Sequence, residues 1–203
     1  MLIGYFMPAL HDEGSMRAAA TARECLVWSI RNDHTWEEQV RDCYPLDVAR
    51  NRAVEWSLER GHDLLIQQDN DCFVDEASNP GPLVYRLLTT MREHDAAVVS
   101  LALPCRIPNS NGNARPNCYP AKPGETYEAE TAGAGILLID MKKLASLPQP
   151  WFRTVVSDDG LEVIEDEGIF FFKKVIAAGH KVIIDWTIPA CHGVKTAMTN
   201  QPR

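Results

Sequence analysis

Residues 62–71 read HDLLIQQDND: three apolar residues, Leu64 to Ile66, two glutamines, then Asp69 and Asp71 on either side of Asn70. A short apolar run bounded by polar residues is the pattern of a buried strand. In α/β sheets ligands bind at the carboxyl ends of the strands, and Asp69, Asn70 and Asp71 stand at such an end. Two carboxylates held that close repel each other unless a cation or a shared proton compensates. Mg2+ and Mn2+ take oxygen ligands and in turn bind phosphates, so a divalent cation is the chemical reading of the pair. The plainer alternative is a solvated turn, because Asp and Asn are common turn residues.

Outward from this strand, short apolar runs alternate with helical patterns. Ile3 to Met7 predict a strand closed by Pro8, and residues 14–31 a helix with an Ala-rich face. In LDVARNRAVEWSLERG (46–61), Val48, Ala49, Ala53, Trp56 and Leu58 recur at roughly helical spacing before Gly61, which suits a helix C′ position. Helices are also predicted over 82–93, 141–147 and 169–179, and strands over 96–103, 135–139 and 181–186. The proline-rich stretch 104–131 reads as a long loop, too long for an idle connection. Residues 157–168 read as an acidic loop, and the polar tail 197–203 as a fraying end. This alternation implies an α/β sandwich around a largely parallel sheet. With 203 residues, 45% of them hydrophobic, the chain suits a single domain spanning 1–203.

The formal net charge of −8 offers no general basic footprint for nucleic acid or an anionic membrane. A local basic rim of Arg106, Arg115 and Lys122 in the long loop stays open. No apolar stretch approaches the ~18–20 residues of a membrane span, and the N-terminal MLIGYFMPAL lacks a basic lead, so a soluble, cytoplasmic protein is expected. The six cysteines, at 25, 43, 72, 105, 118 and 191, form no CxxC pair. They are expected as reduced thiols, mostly filling the core.

Two known motifs can be tested on the DND. A calcium loop starting at Asp69 needs Gly at its sixth position and Glu at its twelfth, where this chain has Val74 and Pro80. A haloacid-dehalogenase-like phosphohydrolase would use Asp69 as nucleophile and draw a later acidic motif from SDDG (157–160). That motif usually comes near the start of a chain, whereas this one comes at residue 69 and runs into Cys72 and Phe73.

Four stretches in order, DVARNRAVEWSLERGHDLLIQQDND (47–71), TAGAGILLIDMKKLASLPQPWF (131–152), EDEGIFFFKKVIAAGHKVIIDW (165–186) and CHG (191–193), resemble the GT-A fold nucleotide-sugar glycosyltransferases, particularly family-2-like enzymes. The likeness runs from Met1 to about Lys195. It implies a GT-A, Rossmann-like three-layer sandwich and transfer of a sugar from a nucleotide-diphosphate donor, UDP-sugar first among candidates, to an acceptor hydroxyl. The acceptor class stays open among a protein, a glycan, a lipid-linked sugar and a modified DNA base. So do the stereochemical outcome and the oligomeric state. A phage or bacterial modification enzyme would suit so compact a chain.

Residue by residue, the resemblance implies that Asp69 and Asp71, with His192, hold Mn2+ or Mg2+ against the donor diphosphate. Pro8 and Ala9, after Met7, would line the base pocket. Arg50 and Asn51 would contact the diphosphate or sugar, with a surface pairing of Arg50 to Asp47 as the alternative. Asn70, Gly133 and Ala134 would border the donor, and Trp151 would stack on the acceptor or else fill the core. Asp166, beside Glu165, would be the general base of an inverting transfer, unless the acidic cluster 165–167 serves only to cap its helix. A non-catalytic module that binds sugar nucleotides remains a further alternative.

Overall fold

The buried strand at 64–68 is the middle of a wide sheet. The structure, a computed structural model, describes residues 1–8, 13–41, 45–74, 82–104, 118–192 and 198–199. Its strands are β1 (Leu2–Pro8), β2 (Thr35–Arg41), β3 (Leu64–Gln68), β4 (Cys72–Val74), β5 (Val98–Leu101), β6 (Thr126–Glu128), β7 (Ile136–Asp140), β8 (Val155–Val156), β9 (Val163–Glu165), β10 (Val182–Asp185), β11 (Ala190–His192) and β12 (Met198–Thr199). Its helices are α1 (Glu13–Arg31), α2 (Leu46–Arg60), α3 (Leu83–His94), α4 (Met141–Leu144) and α5 (Glu167–Ala177).

Seven strands form the main sheet in the order β2-β1-β3-β7-β5-β10-β6. Parallel pairing of β1 with β2 and β3, and of β5 with β10, leaves β7 and β6 antiparallel to their neighbours. Among the described residues, five of the seven strands therefore run one way.

Side chains alternate across each strand. On β3, Leu65 joins Phe6, Ala53, Val54 and Phe171 on one face, while Leu64 and Ile66 join Tyr5, Cys25, Leu87 and Met91 on the other. Helices α2 and α5 cover the first face and α1 and α3 the second, which makes three layers. Each fully buried Leu or Ile on these strands contributes about 1.5–3 kcal/mol. The α/β sandwich expected from the alternation is present.

Helix ends follow local chemistry. Gly61 closes α2 at φ 69°, its N–H donating to Leu58 O. Asp166 caps α5 by accepting from Ile169 N at 2.7 Å, so this helix begins two residues earlier than its apolar run suggests.

Several elements depart from expectation. Strand β2, TWEEQVR, is an edge strand whose polar composition hides it from an apolar scan. The long loop contains β6, which pairs with β10. Its basic residues Arg106 and Arg115 lie outside the described residues, as do Ala9, Cys43 and Cys105. The acidic loop contains β9, which pairs antiparallel with β8 just before the loop. In the tail, Met198–Thr199 pairs with β11 instead of fraying. That pairing belongs to a second, antiparallel sheet, β12-β11-β4, whose register sets His192 opposite Cys72. Cys25, Cys72, Cys118 and Cys191 form no disulfide and are buried, as expected of reduced core thiols.

Candidate functional site

The parallel strands β1, β3 and β5 and the start of antiparallel β7 open on one edge of the sheet. Pro8, buried, ends β1 there. The DND turn is built by backbone and glutamine bonds: Asp69 N donates to Gly135 O at 2.7 Å and Cys72 N donates to Asp69 O at 3.0 Å. Gln68 Nε2 donates to Cys72 O at 2.7 Å, and its Oε1 accepts from Tyr5 Oη at 2.9 Å. A buried amide thus bridges the ends of the turn, so the turn is part of the core rather than a solvated connection. Asn70 and Asp71 are each only 4% exposed.

Arg50 lies beneath this turn. It is 1% exposed, with Nη2 donating to Asp69 Oδ1 at 2.7 Å, Nη1 to Gln67 Oε1 at 3.2 Å and Nε to Glu167 Oε1 at 3.4 Å. A guanidinium presents its donors in a fixed fork, and here that fork joins the end of β3 to the first turn of α5. Arg50 is buried, and each of its three nitrogens donates to a protein acceptor, so its fork is aimed into the protein. The alternative pairing with Asp47 does not form.

His192 completes the other side. Its Nδ1 lies 2.8 Å from Pro104 O, and a carbonyl oxygen only accepts, so Nδ1 carries the proton. In the neutral ring Nε2 then presents a lone pair, and it faces Asp71 Oδ2 at 3.4 Å. Two lone-pair atoms at that separation are compatible when a proton or a cation lies between them. A histidine whose other nitrogen donates to a backbone carbonyl is oriented as metal-ligating histidines are. One ligand atom each from Asp71, Cys72 and His192 lies within 4.8 Å of the others. This oxygen, nitrogen and sulfur set fits a divalent cation. Burial, and then the Asp69 charge, push the Cys72 thiol well above its ordinary range.

The glycine segment closes the edge. Gly133 O accepts from Ser100 Oγ at 2.9 Å, and Ala134 packs where a Cβ on Gly168 would come within 3.1 Å of its own. Gly135 leaves room for its neighbours: a Cβ there would stand 2.8 Å from Cys72 Sγ and 3.8 Å from Asp69 Oδ2. Through Ala134 and Arg50, the first turn of α5, with Asp166, is joined to the DND turn.

Three expected site residues have other work. Asn51 Oδ1 accepts from Trp151 N and Phe152 N, and Nδ2 donates to Phe152 O and Asp47 O. It pins the 151–152 turn instead of touching a donor. Trp151 is 4% exposed with Nε1 donating to Leu147 O, so its ring serves the core and not an acceptor. Glu165 is paired with Lys173. Gln67, Cys72 and Glu167 are the residues that sequence reasoning missed. Two glutamines in a buried strand were the visible signal, since a buried polar group needs partners.

No protein-family model and no curated protein matches the chain. Among solved structures, A197 from STIV is similar at 17% identity, over 96% of this chain and 86% of that one, with a TM-score of 0.60. The catalytic domain of Drosophila beta1,4galactosyltransferase 7 in complex with xylobiose is similar at 12% identity, over 100% and 71%, with a TM-score of 0.49. A UDP-glucose pyrophosphorylase complexed with UDP-glucose stands at 10%, 98%, 92% and 0.49 in the same measures. At such identities the likeness concerns the fold. The fold is the one this chain shares with A197 from STIV. The sheet is mostly parallel, and strand β11 pairs with β4, which sets His192 opposite Cys72, directly after the acidic turn. Among the described residues, no helix is long and apolar enough to cross a membrane.

Proposed function

We propose that this chain is a single-domain, metal-dependent glycosyltransferase that moves a sugar from a nucleotide-diphosphate donor, UDP-sugar first, to an acceptor hydroxyl. The observation that carries the reading is the pair formed by Asp71 and His192: a carboxylate and an oriented imidazole lone pair meeting at the carboxyl edge of the sheet, 3.4 Å apart. Asp71 and His192 would hold Mn2+ or Mg2+, with Asp69 contributing Oδ2 while Arg50 retains Oδ1. Bound there, the cation would offset charge on the departing diphosphate.

The chain's own residues supply the rest. Gly133 and Ala134 present small surfaces along which a sugar can approach the backbone. Pro8, buried at the end of β1, would border the base side. Asp166 would accept the acceptor's hydroxyl proton, a contribution of typically about 10²–10⁴-fold. Its Oδ1 is engaged with Ile169 N, which holds the carboxylate in place at the helix start. The phosphohydrolase alternative fares less well. Asp159 of SDDG, which that alternative needs as its later acidic motif, is engaged in its own turn, accepting from Ser157 Oγ and Leu161 N.

The test is calorimetric titration of the full chain with UDP-, GDP- and dTDP-sugars, each with and without Mn2+. Metal-dependent binding of one nucleotide class, lost in Asp71→Ala with the fold intact, is the expected result. Absence of binding across the panel together with phosphate release from small phosphoesters would overturn it.

A further inference from the structure

Beside the two carboxylates and the imidazole proposed to hold the cation stands a thiol: ligand atoms of Asp71, Cys72 and His192 lie within 4.8 Å of one another. Asp69, by contrast, is shared with Arg50 at 2.7 Å. Resting on the cation-binding reading above, we propose that Cys72 is a ligand of the same cation, and that the site therefore favours a thiophilic divalent ion, Zn2+ or Co2+, over Mg2+ and Mn2+.

Three features place the thiol. The antiparallel register of β4 on β11 sets Cys72 directly opposite His192. Cys72 Sγ lies 3.6 Å from Asp71 Oδ1, while Asp71 Oδ2 faces His192 Nε2 at 3.4 Å, so one carboxylate stands between sulfur and nitrogen. Gly135 then vacates the space the thiol uses, since a Cβ there would come within 2.8 Å of Sγ. A buried cysteine usually acts as a small hydrophobe. Cys25, in α1, does so among apolar neighbours. Cys72 differs in having an acidic oxygen and a lone-pair nitrogen beside its sulfur.

The chemistry follows from ligand softness. Mg2+ and Mn2+ suit carboxylate, carbonyl and water, whereas thiolate and imidazole suit Zn2+, and affinities of mixed sites rise from Mn2+ through Co2+. On coordination the thiol proton leaves to solvent and sulfur binds as thiolate.

The experiment is titration of the full chain with Co2+, followed by absorption, together with calorimetry of Zn2+ and Mn2+ binding. Wild type is expected to develop a sulfur-to-cobalt charge-transfer band and to bind Zn2+ at least about tenfold more tightly than Mn2+. Cys72→Ser should lose the band and most of that preference while still binding Mn2+, and Cys72→Ala should do the same if serine disturbs the fold. Cys191→Ser should keep the band. Cobalt binding without a sulfur band, or a band that survives Cys72→Ser, overturns the thiol ligand and leaves the Asp71–His192 site standing. Failure of all three ions to bind overturns both.

Discussion

Arg50 Nη2 and Asp69 Oδ1 meet at 2.7 Å beneath the acidic turn, the arginine side chain 1% and the aspartate 20% exposed. The same guanidinium reaches Glu167 at 3.4 Å, so one buried cation holds an acid on β3 and an acid on α5. Taking charges out of water is costly, and the cost is recovered only when all donors find acceptors. Here each of the three guanidinium nitrogens donates to a side-chain oxygen.

Removing that cation should leave the acids uncompensated. Arg50→Met is expected to lose about 3–5 kcal/mol of stability, toward the lower figure because Asp69 keeps some contact with water. Urea unfolding followed by tryptophan fluorescence measures this. In a double-mutant cycle with Asp69→Asn, additive losses would show that the pair is not coupled.

Asp166 has a capping duty and a proposed chemical one, which substitutions can separate. Asn caps a helix about as well as Asp, whereas Ala costs about 1 kcal/mol. Asp166→Asn should therefore keep stability and donor binding but lose transfer, and Asp166→Ala should lose both stability and transfer. Undiminished turnover in the Asn variant would remove Asp166 as the base.

Gly135 borders Leu103, Cys72 and Asp69. Gly135→Ala would press its Cβ on the Leu103 side chain and the Cys72 sulfur, with an expected overpacking cost of about 1–3 kcal/mol and weakened cation binding. Gly61→Ala is the control. Nothing lies within 4 Å of its new Cβ, and only the positive φ of 69° is strained, so it should destabilise without changing ion affinity. Equal ion affinities in the two variants and wild type would separate Gly135 from the site.

His62 is buried, with Nδ1 3.0 Å from Ser57 Oγ and Nε2 3.4 Å from Glu37 Oε2. Burial lowers its pKa below the usual histidine value, outweighing the pull of Glu37 in the other direction. The unfolded chain therefore binds more protons on this ring than the folded one. The stability it contributes is full above the ordinary histidine pKa, near 6.5, and is lost as pH falls toward and through the lower folded value. Unfolding free energies measured from about pH 8 down to about pH 5 should decline for wild type and decline less for His62→Gln. Parallel curves for the two would assign the slope to other groups.

The sequence alone determined the alternation of strands and helices, the end of α2 at Gly61 and the acidic turn at the carboxyl end of β3, because periodicity and glycine chemistry act over a few residues. It marked His192 only by likeness to a family. Its composition hid β2, since an edge strand has no need to be apolar, and β4 and β11, since three-residue strands exist only by pairing across the chain. The tertiary structure decided what each polar residue does. It turned Arg50 inward, spent Asn51 on the 151–152 turn, buried Trp151, and joined Cys72 to His192 across 120 residues of chain. Burial and register are properties of the closed sheet, and a local window of residues does not contain them.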